Sequence, residues 1–256
     1  MNLLRRTAFL IAAASLTTLV GCDDNKDDPK PKTGELELHV ENVAGTASLA
    51  LNAGSYTTAQ GETFSVTTLK YYLSGFKLNR ADGTSWAEPD SYHLLDQRVA
   101  ASQHIELKDI PAGDYTSLTF TIGVDSATSV GGVRTGALDV ANNDMYWEWE
   151  GYTYLRLNGK SAKAAGGEFF FDVMGYRRPY NNLRTVTLRL PASTSAIHIG
   201  EGKTPEAHVK ADILKVFSGA SAIWLTQTSF VSGGADGKRL ADNYANMFSI
   251  DHVHGN

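Results

Sequence analysis

The chain of 256 residues contains a single cysteine, Cys22, so no internal disulfide can form. It has no cluster of basic residues. Lys and Arg number 23 against 28 Asp and Glu, and with no basic patch or stripe there is no support for nucleic-acid binding. No apolar run reaches the roughly 20 residues that a membrane-spanning helix requires. Common enzyme signatures are missing as well. There is no Gly-x-Ser-x-Gly elbow, no phosphate-cradling glycine loop and no His-Glu-x-x-His helix. These absences point to a binding protein and away from an enzyme.

The first thirty residues carry an address. Met1 to Arg6 is short and basic, and residues 7–20 are mostly apolar. That length fits a secretory signal and not a transmembrane helix. The run ends in Leu19-Val20-Gly21-Cys22, which resembles a bacterial lipobox. Residues 1–21 are therefore read as a lipoprotein signal peptide, with Cys22 as the lipidated residue. Residues 22–32 form an acidic, Pro-containing tether with nothing to bury. An outer-membrane location, on the cell surface or the periplasmic face, is expected ahead of the inner membrane. Without Arg5 and Arg6 the balance is 21 basic to 28 acidic residues, a net charge of −7. With Cys22 acylated, no thiolate is left for a metal site or for nucleophilic chemistry.

Residues 33–256 read as one all-β domain. Leu36, Leu38 and Val40 alternate with Glu35, Glu37 and His39, the mark of a half-buried strand. Leu118, Phe120 and Ile122 repeat the pattern, as do Val186, Leu188 and Leu190. Ala81-Asp82-Gly83 and Pro111-Ala112-Gly113-Asp114 supply turns. Short alternating strands punctuated in this way predict an antiparallel β-sandwich with few short helices. One helix is expected over residues 237–246, and residues 207–217 suit either a strand or a short helix.

Two stretches could carry chemistry. Residues 144–154 hold five aromatics within nine positions. As one strand, Tyr146, Glu148, Glu150, Tyr152 and Tyr154 would share a face opposite Trp147 and Trp149. Core packing, a sugar-stacking platform on Trp147, Trp149 and Tyr152, and a site using an indole all remain open. The second stretch is the C-terminus. His252-x-His254 places two imidazoles on one face of a strand, able to converge on one metal ion or to lie solvated. His39 and His93 lie in strand-like surroundings and are further candidates. His104, His198 and His208 read as ordinary surface histidines. Imidazole with thioether suits copper, and Met145, Met174 and Met247 offer sulfur.

Several segments in order resemble the MbnP-like copper-binding family of exported proteins. They are LALNAGSY (49–56), GETF (61–64), LKYYLSGFKL (69–78), SYHLLD (91–96), IPAGDY (110–115), FTIGVDS (120–126), TGALD (135–139), MYWEW (145–149) with Gly151-Tyr152, and residues 248–254. The resemblance implies a β-sandwich that handles copper, as Cu(I) ahead of Cu(II), outside the cytoplasm. It also implies a partner, a di-haem enzyme related to cytochrome c peroxidases, that oxidises one tryptophan to kynurenine. Opening the indole yields an aryl amine with a lone pair, whereas the intact indole nitrogen is only a donor. Trp149 or Trp147 is the expected modified residue. Relatives often carry a histidine in the strand containing Asp172. Its replacement here shifts weight toward Met174 and the terminal histidines. The alternative is a metal-free surface module that binds glycans or a protein partner through residues 146–154.

Overall fold

The computed structural model describes residues 32–131 and 134–256. The signal, Cys22 and nearly all of the tether lie outside the described residues. Ten strands organise the domain: β1 Thr33–Ala44, β2 Thr63–Asn79, β3 Tyr92–Asp96, β4 His104–Pro111, β5 Ser117–Ile122, β6 Gly151–Lys160, β7 Glu168–Met174, β8 Arg184–Arg189, β9 Glu206–Asp212 and β10 Phe248–His254. The principal helix, α1, is Gly234–Tyr244. Among the described residues no helix is long and apolar enough to cross a membrane.

Two sheets face each other. The smaller runs β10–β9–β1, with β4 pairing β1 on its other edge. The larger runs β8–β5–β2–β6–β7, with β3 also joined to β2 and the short strand Phe230–Val231 beside β7. Apolar residues from the inner faces meet between them. Phe248 of the smaller sheet lies edge-on to Tyr71 and Phe120 of the larger, with ring centroids 5.7 and 5.1 Å apart. Leu36, Leu38 and Val40 are buried as the alternation predicts, and so are Leu118, Phe120 and Ile122. The sandwich is therefore β-rich as expected, but its sheets are mixed. β9 runs parallel to β1, and the Phe230–Val231 strand runs parallel to β7.

Local expectations resolve in instructive ways. Residues 207–217 are both things in turn, strand β9 followed by a helical turn Leu214–Phe217. The predicted helix begins at Gly234, three residues earlier than the pattern suggested. The outer face of the larger sheet is not solvated. Tyr72, Val124, Leu138, Met145, Tyr152 and Tyr154 form a second apolar cluster there. The loop crossing it is tied down by Tyr72 Oη donating to Ala137 O (2.9 Å) and Tyr152 Oη to Leu138 O (2.6 Å).

One glycine in β6 is sterically required. A Cβ at Gly159 would stand 2.0 Å from Ser65 O and 2.6 Å from the Phe169 ring. The nearer obstacle is backbone, which cannot swing aside as a side chain can. Gly159→Ala is expected to cost toward the top of the roughly 1–3 kcal/mol typical of overpacking. Urea denaturation checks this. A midpoint unchanged from the parent would show that the β2–β6 contact is looser than described.

Candidate metal centre

The strand register of the smaller sheet aligns its histidines. β1 and β9 carry the same local pattern, Glu37-Leu38-His39-Val40 and Glu206-Ala207-His208-Val209. They pair so that His39 lies opposite His208 and Glu37 opposite Glu206. β4 places His104 opposite His39, and β10 places His252 opposite His208. Directly paired residues share a face. His104, His39, His208 and His252 therefore form one row across four strands on the outward face. Glu206 and His254, paired in the next row, lie beside it.

The ring spacing follows the strand spacing of about 4.8 Å. His39 stacks on His104 at 4.4 Å, and His208 stacks on His252 at 4.3 Å. His39 and His208 are 5.1 Å apart with their planes inclined at 64°. His254 closes on His252 with Nε2 to Nε2 at 2.9 Å. The donor atoms of His208, His252 and His254 all lie within 4.8 Å of one another, as do those of His39, Glu206 and His208.

A β-bulge makes this arrangement possible. Along β10, Phe248 and Ile250 point inward and Ser249 and Asp251 outward. Plain alternation would send His252 into the core. The register instead steps from Val209 opposite Ile250 to His208 opposite His252, leaving Asp251 as the extra residue. Such an insertion re-aims the side chains that follow it. His252 and His254 thereby face outward with His208, while Val253 packs on the core.

The supporting contacts suit ligation. His252 Nδ1 meets Asp251 Oδ2 at 2.8 Å, and Lys210 Nζ donates to Asp251 Oδ1 at 2.7 Å. These hydrogen bonds, from Lys210 first and His252 next, hold the Asp251 carboxyl below its ordinary value. A carboxylate on one ring nitrogen orients the other and raises its basicity. His104 Nδ1 has its own carboxylate, Glu37 Oε1, at 2.7 Å. Burial pushes the His208 imidazole below its ordinary value. Glu206 opposes this, while His252, His39 and His254 add to it. Neutral imidazole with a free lone pair is the form that binds metals. The donor set fits a copper ion: imidazoles are present and carboxylates orient them.

Of the sequence candidates, His39, His252 and His254 come together here. His208 and His104, read from the sequence as ordinary surface residues, complete the row. His93 does not join them. It lies on β3, with Nε2 3.0 Å from Glu88 Oε2 and its ring edge-on to Phe76. Among the described residues no thioether joins either. Met145 belongs to the second apolar cluster and Met247 to the main core. Met174 is buried in β7.

The aromatic stretch is a separate feature on the larger sheet. It is not one strand. Tyr146 and Trp147 pair back onto Tyr152 and Gly151, making a tight hairpin. Tyr152 and Tyr154 are buried, but Trp147 is 53% and Trp149 80% exposed at the tip. They border a cleft of about 560 Å³ whose wall includes Phe170, Phe230, Asp172 and Met174. Trp147, Trp149 and Met174 thus line one cleft, on the larger sheet and apart from the histidine row.

Comparisons with known proteins agree with this architecture. The MbnP family model matches residues 33–233, a span that includes His39, His104 and His208 and ends before β10. Among solved structures, MbnP from Methylosinus trichosporium is similar, with a TM-score of 0.51 and 14% identity over 80% of this chain and 83% of that one. At that identity the likeness is one of fold. No curated protein matches.

Proposed function

This chain belongs to the MbnP family, and from that premise we propose that it is an exported, lipid-anchored copper-binding protein whose ion is held by His208, His252 and His254. The observation that carries the reading is the outward row of imidazoles, three of whose donor atoms converge within 4.8 Å. Imidazole donors alone would also accept zinc, so it is the family that selects copper. The terminal triad contains no carboxylate, which favours the softer Cu(I) over Cu(II). The anchor at Cys22 and an outer-membrane location belong to the same reading, because an exported domain meets copper before the cytoplasm does.

Tryptophan oxidation has a distinct place in this proposal. Trp149, more exposed than Trp147, is the indole most open to a di-haem partner enzyme. Its hairpin belongs to the larger sheet and the histidine row to the smaller. The terminal triad therefore needs no kynurenine. Protein made in a host that lacks the partner is expected to retain about one equivalent of copper with all four tryptophans intact. Metal analysis combined with intact mass checks this. Copper retained only by protein with an oxidised tryptophan would move the site to the hairpin.

Outer-shell support gives a further expectation. Asp251→Ala removes the carboxylate on His252 Nδ1 without removing a ligand. Copper affinity should fall about 10- to 100-fold, the usual effect of losing such a partner. Competition against a chromophoric Cu(I) chelator measures it, and an unchanged affinity would exclude His252 Nε2 as the donor.

A further inference from the structure

We propose that the same row holds a second metal position, His39–Glu206–His208, suited to a divalent ion such as Zn(II) and sharing His208 with the copper triad. The proposal rests on the copper reading for the identity of its competitor, but its own site stands on separate residues. Glu206 Oε1 lies 2.9 Å from His208 Nε2 and 3.7 Å from His39 Nδ1. The three donor atoms fall within 4.8 Å of one another. His39, His208 and Glu206 are all half-buried on the open face of the sheet, accessible to an ion without opening the core.

The chemistry of the two positions differs. The terminal triad is all imidazole. The inner triad replaces one imidazole with a carboxylate, a harder donor that adds negative charge and favours divalent over monovalent ions. His104, stacked on His39 at 4.4 Å, holds that ring in place and is itself oriented by Glu37. A single scaffold therefore presents two donor sets of unlike hardness side by side.

His208 links them. A neutral imidazole has one lone pair, so it serves one ion at a time. Occupation of either position removes a ligand from the other. The two ions are then competitors although two of the three ligands at each position are distinct. Thermodynamic reciprocity requires each to weaken the other by the same factor. In this arrangement a rise in divalent ion would loosen copper, and a rise in copper would displace the divalent ion.

The test uses demetallated protein, titrated anaerobically with Zn(II) and with Cu(I) by calorimetry and chelator competition. The parent should bind one Zn(II), and saturating Cu(I) should raise its Kd at least tenfold. In the His252→Ala/His254→Ala background, where the terminal triad cannot take Zn(II), Glu206→Gln, close to isosteric, and His39→Ala should each weaken Zn(II) at least tenfold. In the otherwise unchanged protein they should leave Cu(I) affinity little changed. The His252→Ala/His254→Ala double variant should retain Zn(II), and His208→Ala should weaken both ions. Absence of Zn(II) binding, or Zn(II) binding in the His252/His254 double variant indifferent to Glu206→Gln and His39→Ala, overturns the second position. Tight binding of both ions with no mutual effect overturns the sharing of His208. Failure of the copper reading appears separately, as Cu(I) binding unaffected in the His252/His254 double variant.

Discussion

Replacing His252 and His254 together by alanine is expected to abolish copper retention while leaving the fold intact. The loss should exceed the roughly 100-fold upper range for removing an outer-shell partner, because two of three converging donors disappear. What remains, His208 with His39 and Glu206, is the harder donor set, which favours a divalent ion over Cu(I). The fold should survive because neither side chain contributes to the core. Both project from the outward face of β10, and the inward residues Phe248, Ile250 and Val253 are untouched. Backbone pairing with β9 depends on main-chain groups that alanine preserves. The measurement is copper per protein after dialysis against chelator, alongside a thermal melt. A folded double variant that keeps one equivalent of copper would sink the terminal triad. A single His254→Ala should be less severe, since His208 and His252 remain stacked at 4.3 Å.

How much of this was legible in the sequence follows from what each feature depends on. Strand alternation reports which face a residue occupies, and it placed Leu36, Leu38 and Val40 in the core correctly. His39 on the polar side followed from the same pattern. His-x-His at the terminus was visible because spacing within one strand is local. His104 and His208 read as ordinary surface residues because nothing local marks them. Their significance comes from register between strands far apart in the chain. One signal was available, the repeated Glu-x-His-Val of residues 37–40 and 206–209, which is what two adjacent strands of one face look like when paired in step. The bulge at Asp251 could not be read at all, since plain alternation would have buried His252. The aromatic stretch misled for the opposite reason. Its period suited a strand, but Gly151, at a φ of +79°, lets the chain turn back after the Glu148-Trp149-Glu150 tip. Met174 was attractive by composition, but its strand belongs to the other sheet.

The second large effect is expected at Arg156, and it separates the two candidate sites. On the outer face of the larger sheet, Asp96, Lys70, Arg156 and Asp172 form a cross-strand row of paired charges. Arg156 grips Asp172 with two hydrogen bonds, Nε to Oδ1 at 2.7 Å and Nη2 to Oδ2 at 3.0 Å. Its Nη1 donates to Asp144 Oδ2 at 2.7 Å. Lys70 Nζ donates to the other oxygen of Asp144, also at 2.7 Å. Burial pushes the Asp144 carboxyl up, but Lys70 and Arg156 outweigh it and hold it below its ordinary value. The side chains of Lys70 and Arg156 are only 7% and 10% exposed. Arg156→Ala strands the Asp172 carboxylate and removes one of two cations from Asp144. Asp172 is 20% and Asp144 62% exposed, so the cost should fall below the roughly 3–5 kcal/mol of breaking a fully buried pair from one side, nearer the roughly 1.5–3 kcal/mol of a charged hydrogen bond. Arg156→Lys should recover only part, since an ammonium cannot reproduce the two-point grip. Asp144 directly precedes Met145 and the hairpin, so its loosening should free Trp147 and Trp149. Their fluorescence should shift and the hairpin should exchange amide protons faster. Copper at the histidine row should persist, because its ligands stand on the smaller sheet. If a folded Arg156→Ala protein loses its copper, the ion belongs to the cleft beside the tryptophans and the histidine row is not its home.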